Sequence, residues 1–298
     1  LGYTDLLAFD PDPLARDNVS GQRGIACCAT VAEVWTQRPE VAFVTAPSNL
    51  HIELALQAVH HNCHVLIEKP LSHTLDGIEE LLRTTRQRNL VTMVGCNMRF
   101  HPGPAQVKEW LNQGAVGAVL ASYIRTGSYL PQWRPQQDYR QSYSASPHWG
   151  GVVLDCIHEV DLALWLLGDA KLEAAITRPA HSLDLETDGL AELILGHTDG
   201  AISSVHLNFV QRNYRRSIDV IGSEGSIEWN FTAGCTDLYG PDGALVNRIP
   251  QPAGWEINQM YVDEIDHFLQ HARHGTATCN PIASAERTLE LALEARAR

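Results

Sequence analysis

Apolar residues in the first hundred positions come in short continuous runs, each closed by a breaker. Leu6 to Phe9 ends at Asp10, Gly24 to Cys28 runs into Thr30, and Val41 to Thr45 precedes Ala46-Pro47-Ser48-Asn49. His64 to Ile67 stops at Glu68-Lys69-Pro70, and Val91 to Gly95 ends the series. Runs of this length between turn residues predict buried parallel strands. Helical stretches lie between them. Thr30-Val31-Ala32-Glu33 forms a capping box, Ser48 or Asn49 is placed to cap a helix over His51 to His61, and a further helix is expected from Thr74 to Arg88. Together these are consecutive β-α steps of one doubly wound sheet covered on both faces.

Beyond residue 100 the rhythm changes. A helix from Gly103 to Asn112 leads to a strand over Val119 to Thr126, then a polar and aromatic loop from Gly127 to Trp149, then a helix through Gly150 to Gly168. Strands follow at Glu173 to Thr177, Gly189 to Leu195, Ala201 to Val210, Arg215 to Ile221 and Gly225 to Phe231, separated by glycine-bearing turns. Helices from Glu256 to Arg273 and Ala283 to Ala297 close the chain. The expected fold class is therefore α/β: a Rossmann-type parallel sheet, then an α+β domain with a large open mixed or antiparallel sheet. With no repeat or low-complexity linker, the boundary falls near Asn97 to Pro104, giving domains 1–100 and 101–298, the terminal helices free to pack back on the first.

In open α/β sheets chemistry collects beyond the carboxyl ends of the strands, and Lys69 sits at such an end. Alone it is weak, since Glu-Lys is also a common surface pair. The helix from Gly150 to Gly168 strengthens it. Its ionisable residues Asp155, His158, Glu159 and Asp161 share one sector of an otherwise apolar helix. Buried charge is costly unless paired or facing a wet cavity, so the stripe is expected to line a site; its bland reading is a solvent face. Asp155 and His158, three apart, are neighbours on that face, and a carboxylate can raise the basicity of an imidazole that takes a proton near neutral pH.

Composition narrows the partners. A chain of 298 residues with net charge −13 offers no basic face for a nucleic acid. No apolar run approaches the length of a membrane-spanning helix, and the amino terminus lacks the marks of a signal peptide. Seven cysteines without a Cys-x-x-Cys pair suit a reducing, cytoplasmic setting. The patch His60-His61-Asn62-Cys63-His64 invites a zinc reading, but it lacks the second half of a tetrahedral set and a helix-to-strand corner accounts for it; no metal is expected.

Ala46-Pro47-Ser48-x-x-His51, His64-Val65 through Glu68-Lys69-Pro70, Asn97-Met98-Arg99-Phe100-His101-Pro102, and Gly150-Gly151 through Asp155-x-x-His158-Glu159-x-Asp161 and Gly168 resemble the Gfo/Idh/MocA family of nicotinamide-dependent oxidoreductases over essentially the whole chain. The resemblance implies hydride transfer between NAD(P) and a carbon of a sugar, inositol or sugar acid, with Lys69 hydrogen-bonding the reacting hydroxyl, His158 as general base, and Asp155 orienting the substrate or that histidine. Many members space that pair by four residues rather than three. Ala46, Pro47, Ser48, His51, Glu68, Lys69 and Asn97 are the cofactor-binding positions it implies, and the second-domain sheet is the expected surface of a homo-oligomer.

The first strand and Gly-x-Gly-x-x-Gly turn of a dinucleotide fold do not occur in this sequence. Leu1-Gly2-Tyr3 resembles the end of the first helix, so about 25 residues of the family pattern are expected to be absent. Asp10, closing the next strand, is expected to grip the ribose hydroxyls, and an acid there favours NAD over NADP; its bland reading is a turn residue in Asp10-Pro11-Asp12-Pro13. In the long loop, Trp133 and Tyr139 are placed to stack on a sugar ring, while Arg99, Arg134 and Arg140 could fork a carboxylate or phosphate, or be surface ion-pair members. The expected function is an NAD-dependent dehydrogenase or reductase of a sugar-like secondary alcohol. The rival is a non-catalytic ligand-binding regulator on the same fold.

Overall fold

The computed structural model describes all 298 residues, Leu1–Arg298. The apolar runs of the first hundred residues do form parallel strands, but in two separate sheets. The element order is β1 (Leu7–Ala8), α1 (Pro13–Arg23), β2 (Ala26–Cys27), α2 (Val31–Thr36), β3 (Val41–Val44), α3 (His51–His60), β4 (His64–Glu68), α4 (Ile78–Gln87) and β5 (Thr92–Gly95). β1 pairs only with β2, and β3, β4 and β5 form a three-stranded sheet in that order. Neither α1 nor α2 buries a residue. By contrast β4 and β5 are almost wholly buried, as strands covered on both faces must be.

Local chemistry sets the helix ends. Thr30 Oγ1 accepts the Glu33 amide at 3.3 Å and the Glu33 carboxylate reaches back to the Ala29 amide at 2.8 Å, so the capping box forms one residue wider than expected. Neither Ser48 nor Asn49 caps α3: a 3-10 turn over Ser48–Leu50 precedes that helix, whose N-cap is Leu50, without a side-chain bond. Ser48 Oγ instead donates to the Trp149 carbonyl at 3.3 Å, across to the second half of the chain.

The second half contains α5 (Pro102–Asn112), β6 (Val119–Tyr129), α6 (Val152–Asp155), α7 (His158–Leu167), β7 (Ala170–Pro179), β8 (Asp188–His197), β9 (Ile202–Asn208), β10 (Val210–Gly222), β11 (Ser226–Asn230), β12 (Cys235–Tyr239), β13 (Leu245–Pro250), α8 (Asn258–His274) and α9 (Ile282–Ala297). Its eight-stranded sheet runs β13-β12-β11-β10-β6-β9-β8-β7. Only β6 and β9 pair in parallel; the rest of the sheet is antiparallel. Two departures from expectation matter. β12 and β13 extend the sheet beyond Phe231, and the helix expected through Gly150 to Gly168 is two helices, interrupted at Cys156 and Ile157, where Cys156 adopts φ −95° and ψ 34°.

One core of 51 buried residues runs through both halves. The terminal helices complete the first sheet. Phe268 and Ala272 of α8 pack on Leu66, Val91 and Met93 of the β4–β5 region. Residues 278 to 282 lie along the free edge of β5: Val94 N donates to Asn280 O at 2.9 Å, Asn280 Nδ2 to Val94 O at 3.0 Å, and Thr278 Oγ1 to Thr92 O at 2.7 Å. Covering a sheet edge in this way satisfies its backbone groups and blocks foreign pairing.

Candidate active site

Strand β4 delivers Lys69 to its carboxyl end, and α6 ends at Asp155 directly opposite. Lys69 Nζ donates to the Asp155 carboxylate at 3.1 Å and to the Asp155 backbone carbonyl at 2.7 Å. That carbonyl is available because the helix stops there. The carboxylate also accepts from Ser144 Oγ at 2.6 Å and from the Tyr143 hydroxyl. Burial disfavours the ammonium, but the attraction of Asp155, with smaller contributions from Tyr143 and Cys156, outweighs it and raises the Lys69 pKa. Lys69 is thus a fixed cation at this end of the sheet.

Two glycines make this arrangement possible. A Cβ on Gly150 would lie 2.1 Å from the Tyr143 carbonyl oxygen, so only glycine lets the 143–144 turn come close enough to place its side chains on Asp155. Gly151 has φ +93°, and a Cβ there would meet Asp188 Oδ1 at 2.2 Å. Asp188 accepts the Val153 amide at 2.9 Å near the start of α6 and pairs with Arg296 of α9 at 2.9 Å, so the last helix braces the segment that carries Asp155.

The four ionisable residues of the expected stripe divide into two pairs. Asp155 and His158 line the cavity described below, whereas Glu159 and Asp161 are wholly buried and held by arginines. Arg216 Nε meets Glu159 Oε1 at 2.6 Å. Arg99 grips Asp161 bidentately at 2.8 and 2.7 Å and donates to the Cys279 carbonyl at 2.5 Å. Arg99 was expected to hold substrate; its donors are committed to Asp161 and Cys279, and it does not line the cavity, so that expectation is corrected. Asp155 was expected to orient the substrate or His158; its carboxylate bonds Lys69, Tyr143 and Ser144 instead. His158 is 8% exposed, and its Nδ1 is buried without a partner. Burial, reinforced by the Lys69 and Arg216 charges, holds its pKa well below the usual imidazole range. The ring is therefore uncharged at ordinary pH.

These groups face a cavity of about 470 Å³, a size common for small-ligand sites. Trp133, Arg134 and Tyr139 line it. Trp133 Nε1 is anchored on Ser128 Oγ at 2.9 Å and Tyr139 Oη on the Leu183 carbonyl at 3.1 Å. Arg140 is not among the lining residues: it is exposed and pairs with Asp138 at 2.9 Å, which corrects its placement as a substrate ligand. Sequence reasoning missed Tyr143, Ser144, Arg212, Tyr214 and Arg216, all in the lining. Tyr143 and Ser144 lay within the loop already singled out, whereas the β10 residues carry no local signal.

The other expected cofactor positions cluster at the carboxyl ends of β3, β4 and β5, with one exception. His51 is fully buried between the Ala46-Pro47-Ser48 turn and the turn after Lys69, its ring nitrogens 2.7 Å from Ala46 O and 2.8 Å from Pro70 O, to one of which the neutral ring donates. Burial lowers its pKa, against the pull of the Ala46 and Pro70 carbonyls. Glu68 Oε2 accepts the Lys69 amide at 3.1 Å, and Asn97, in the turn after β5, is buried. Asp10 lies apart, in the loop between β1 and α1, where its carboxylate accepts the Asp12 amide at 2.8 Å.

Two family models match the chain. The first, an oxidoreductase family with an NAD-binding Rossmann fold, covers residues 6–96, and the second, a GFO/IDH/MocA C-terminal domain, covers residues 105–228. The chain is 26% identical over 218 residues to a levoglucosan dehydrogenase of Pseudarthrobacter phenanthrenivorans, an alignment covering 64% of this chain and 55% of that protein. It is 26% identical over 216 residues to a 1,5-anhydro-D-fructose reductase of Ensifer adhaerens, covering 69% of this chain and 62% of that protein. The chain therefore matches little more than half the length of these relatives. A solved levoglucosan dehydrogenase in complex with NADH and levoglucosan superposes with a TM-score of 0.88 at 19% identity, over 99% of this chain and 88% of that one, a likeness of fold.

Proposed function

Because the chain belongs to the Gfo/Idh/MocA family of oxidoreductases, we propose that it transfers a hydride between NAD(H) and a secondary alcohol or ketone of a sugar or polyol. The observation that carries this reading is the meeting of a fixed Lys69 ammonium and a neutral His158 on one wall of a polar cavity, at the carboxyl end of β4. Residues 1–100 would carry the cofactor half and 101–298 the substrate half, the open face of the large sheet serving a homo-oligomer. The carboxyl end of the parallel sheet suits a nicotinamide dinucleotide: the Ala46-Pro47 turn packs against His51, and the Asn97 side chain, 6% exposed as a residue, is not engaged by another protein group. Ala46, Pro47, Ser48, Glu68 and Asn97 would hold it, with Asp10 on the ribose side.

When bound, NAD supplies the two-electron acceptor that takes hydrogen from the carbinol carbon. Lys69 donates a hydrogen bond to the reacting oxygen and stabilises negative charge growing there. His158, uncharged and facing the cavity, accepts the hydroxyl proton. Asp155 holds Lys69 charged and aimed, while Tyr143 and Ser144 fix that carboxylate. In the reductive direction His158 returns the proton to the oxygen.

The test is turnover with NAD and a panel of sugars, polyols and anhydrosugars, alongside an NADH fluorescence titration. Lys69→Ala and His158→Ala should each lower turnover about a hundredfold or more while leaving NADH affinity nearly unchanged. Wild-type turnover in both variants would sink the assignment, and sugar binding without any turnover in the parent would favour a ligand-binding regulator.

A further inference from the structure

Resting on the sugar-oxidoreductase reading for the identity of the reacting end, we propose that the mouth of the cavity is an anion subsite. The substrate is then a sugar or polyol that carries a carboxylate or phosphate away from the reacting carbon. The chain as a whole is strongly acidic, at −13. Its cavity is the reverse: the lining includes the cations Lys69, Arg134, Arg212 and Arg216 and a single carboxylate, Asp155.

Two of those cations are already neutralised. Asp155 takes Lys69 and Glu159 takes Arg216. Arg134 and Arg212 differ from them, since neither has a carboxylate within 4.0 Å and neither side chain donates a hydrogen bond to the protein. An acidic partner was available in the same loop, because Arg140, six residues from Arg134, is captured by Asp138 there and by Asp184 of the β7–β8 connection and stays out of the lining.

Arg212 is positioned rather than loose. Its guanidinium carbon lies 4.2 Å from the centroid of the Tyr129 ring, itself part of the lining. Stacking of this kind occupies the face of the guanidinium and leaves its N–H edge free for the forked contact that carboxylate and phosphate oxygens favour. Arg134 and Arg212 are exposed at the rim of the cavity, and cations without a carboxylate partner at a cleft mouth draw anions towards it. A neutral sugar would satisfy the hydroxyl-bearing part of the lining and leave both arginines unneutralised.

Calorimetric titration in phosphate-free buffer at low salt, without cofactor, tests this using D-glucuronate, D-glucose 6-phosphate and D-glucose. At least one anion should bind about tenfold or more tighter than glucose. In the double variant Arg134→Gln, Arg212→Gln the gap should close to about twofold, whereas Arg140→Gln should preserve it. Which anion gains more separates a carboxylate from a phosphate site. Glucose binding as tightly as both anions, binding of neither anion, or a gap that survives in the double variant would each overturn the proposal. Since no turnover is measured, failure of the oxidoreductase reading would leave the titration standing, and the converse also holds.

Discussion

Replacing Asp155 with Asn removes one charge from the Lys69 site while keeping its volume and one of the two oxygens that accept from Tyr143 and Ser144. At 3.1 Å, an ion pair in an environment of effective dielectric about 20 is worth about 5 kcal/mol of Coulomb energy, or about four pKa units for Lys69. Asp155 and burial act in opposite directions on the ammonium, and at present Asp155 prevails. In the Asn variant burial acts with the main opposition gone, so the Lys69 pKa should fall below the ordinary lysine value. Amine acetylation across pH 7 to 11, read by mass spectrometry, measures this directly, because the chain has only three lysines, Lys69, Lys108 and Lys171. In the parent, Lys69 should resist acetylation throughout. In Asp155→Asn its reactivity should rise steeply at a pH where the parent still shows none, with Lys171 as the unchanged internal reference. Matching Lys69 profiles in a folded Asp155→Asn variant would refute the electrostatic role assigned to Asp155.

Three other perturbations follow. Burial first, then the charges of Glu68 and Asp161, push the Glu264 carboxyl up to about 8; the folded state then keeps a proton that the unfolded state has lost, so stability should decline from about pH 4.5 to about pH 8, and Glu264→Gln should flatten that slope in urea denaturation. Asp161→Ala leaves the Arg99 guanidinium buried and unpaired, and should cost about 3–5 kcal/mol by the same method, whereas an apolar replacement of both partners should recover much of the loss. Gly150→Ala forces the 143–144 backbone away, so it should lower turnover and expose Lys69 to acetylation with only a modest drop in melting temperature.

Much of the fold was legible because strands such as Val65–Ile67 and Met93–Val94 are buried on both faces and therefore read as unbroken apolar runs closed by breakers. Lys69 was legible for the same reason: a charge at the end of such a run has one place to go. The two outer strands β12 and β13 were not, since β13 is exposed along its whole length and shows no alternation to read. The pairing of Arg99 with Asp161 links residues 62 positions apart, and that of Arg216 with Glu159 links residues 57 apart. An arginine's partner at such separation is set by how helix α7 lies against β10 and the turn after β5, which periodicity does not encode. Arg212 reaches the cavity because β10 pairs with β6 beside Tyr129, again a matter of register.

The break at Cys156 and Ile157 was illegible for a different reason: Val152 to Leu167 has the apolar spacing of one continuous helix, and nothing local marks a stop. Its consequence is large. In an uninterrupted helix the Asp155 carbonyl would accept the Glu159 amide; here the Glu159 amide turns to Cys156 O at 3.4 Å and Lys69 takes the vacated carbonyl at 2.7 Å. A charged donor replaces a neutral one, and hydrogen bonds to charged groups contribute about 1.5–3 kcal/mol against about 1 kcal/mol for ordinary ones. Lys69 therefore closes the end of α6 as well as facing the cavity. Lys69→Met should lower stability by about 2 kcal/mol or more, since it orphans the carbonyl and leaves the buried Asp155 carboxylate without its counter-charge, held only by Tyr143 and Ser144. His158→Ala removes a ring with no protein hydrogen bond and should cost packing alone. A turnover loss shared by both variants, against unequal melting temperatures, would separate the chemistry of the site from the support of the helix that builds it.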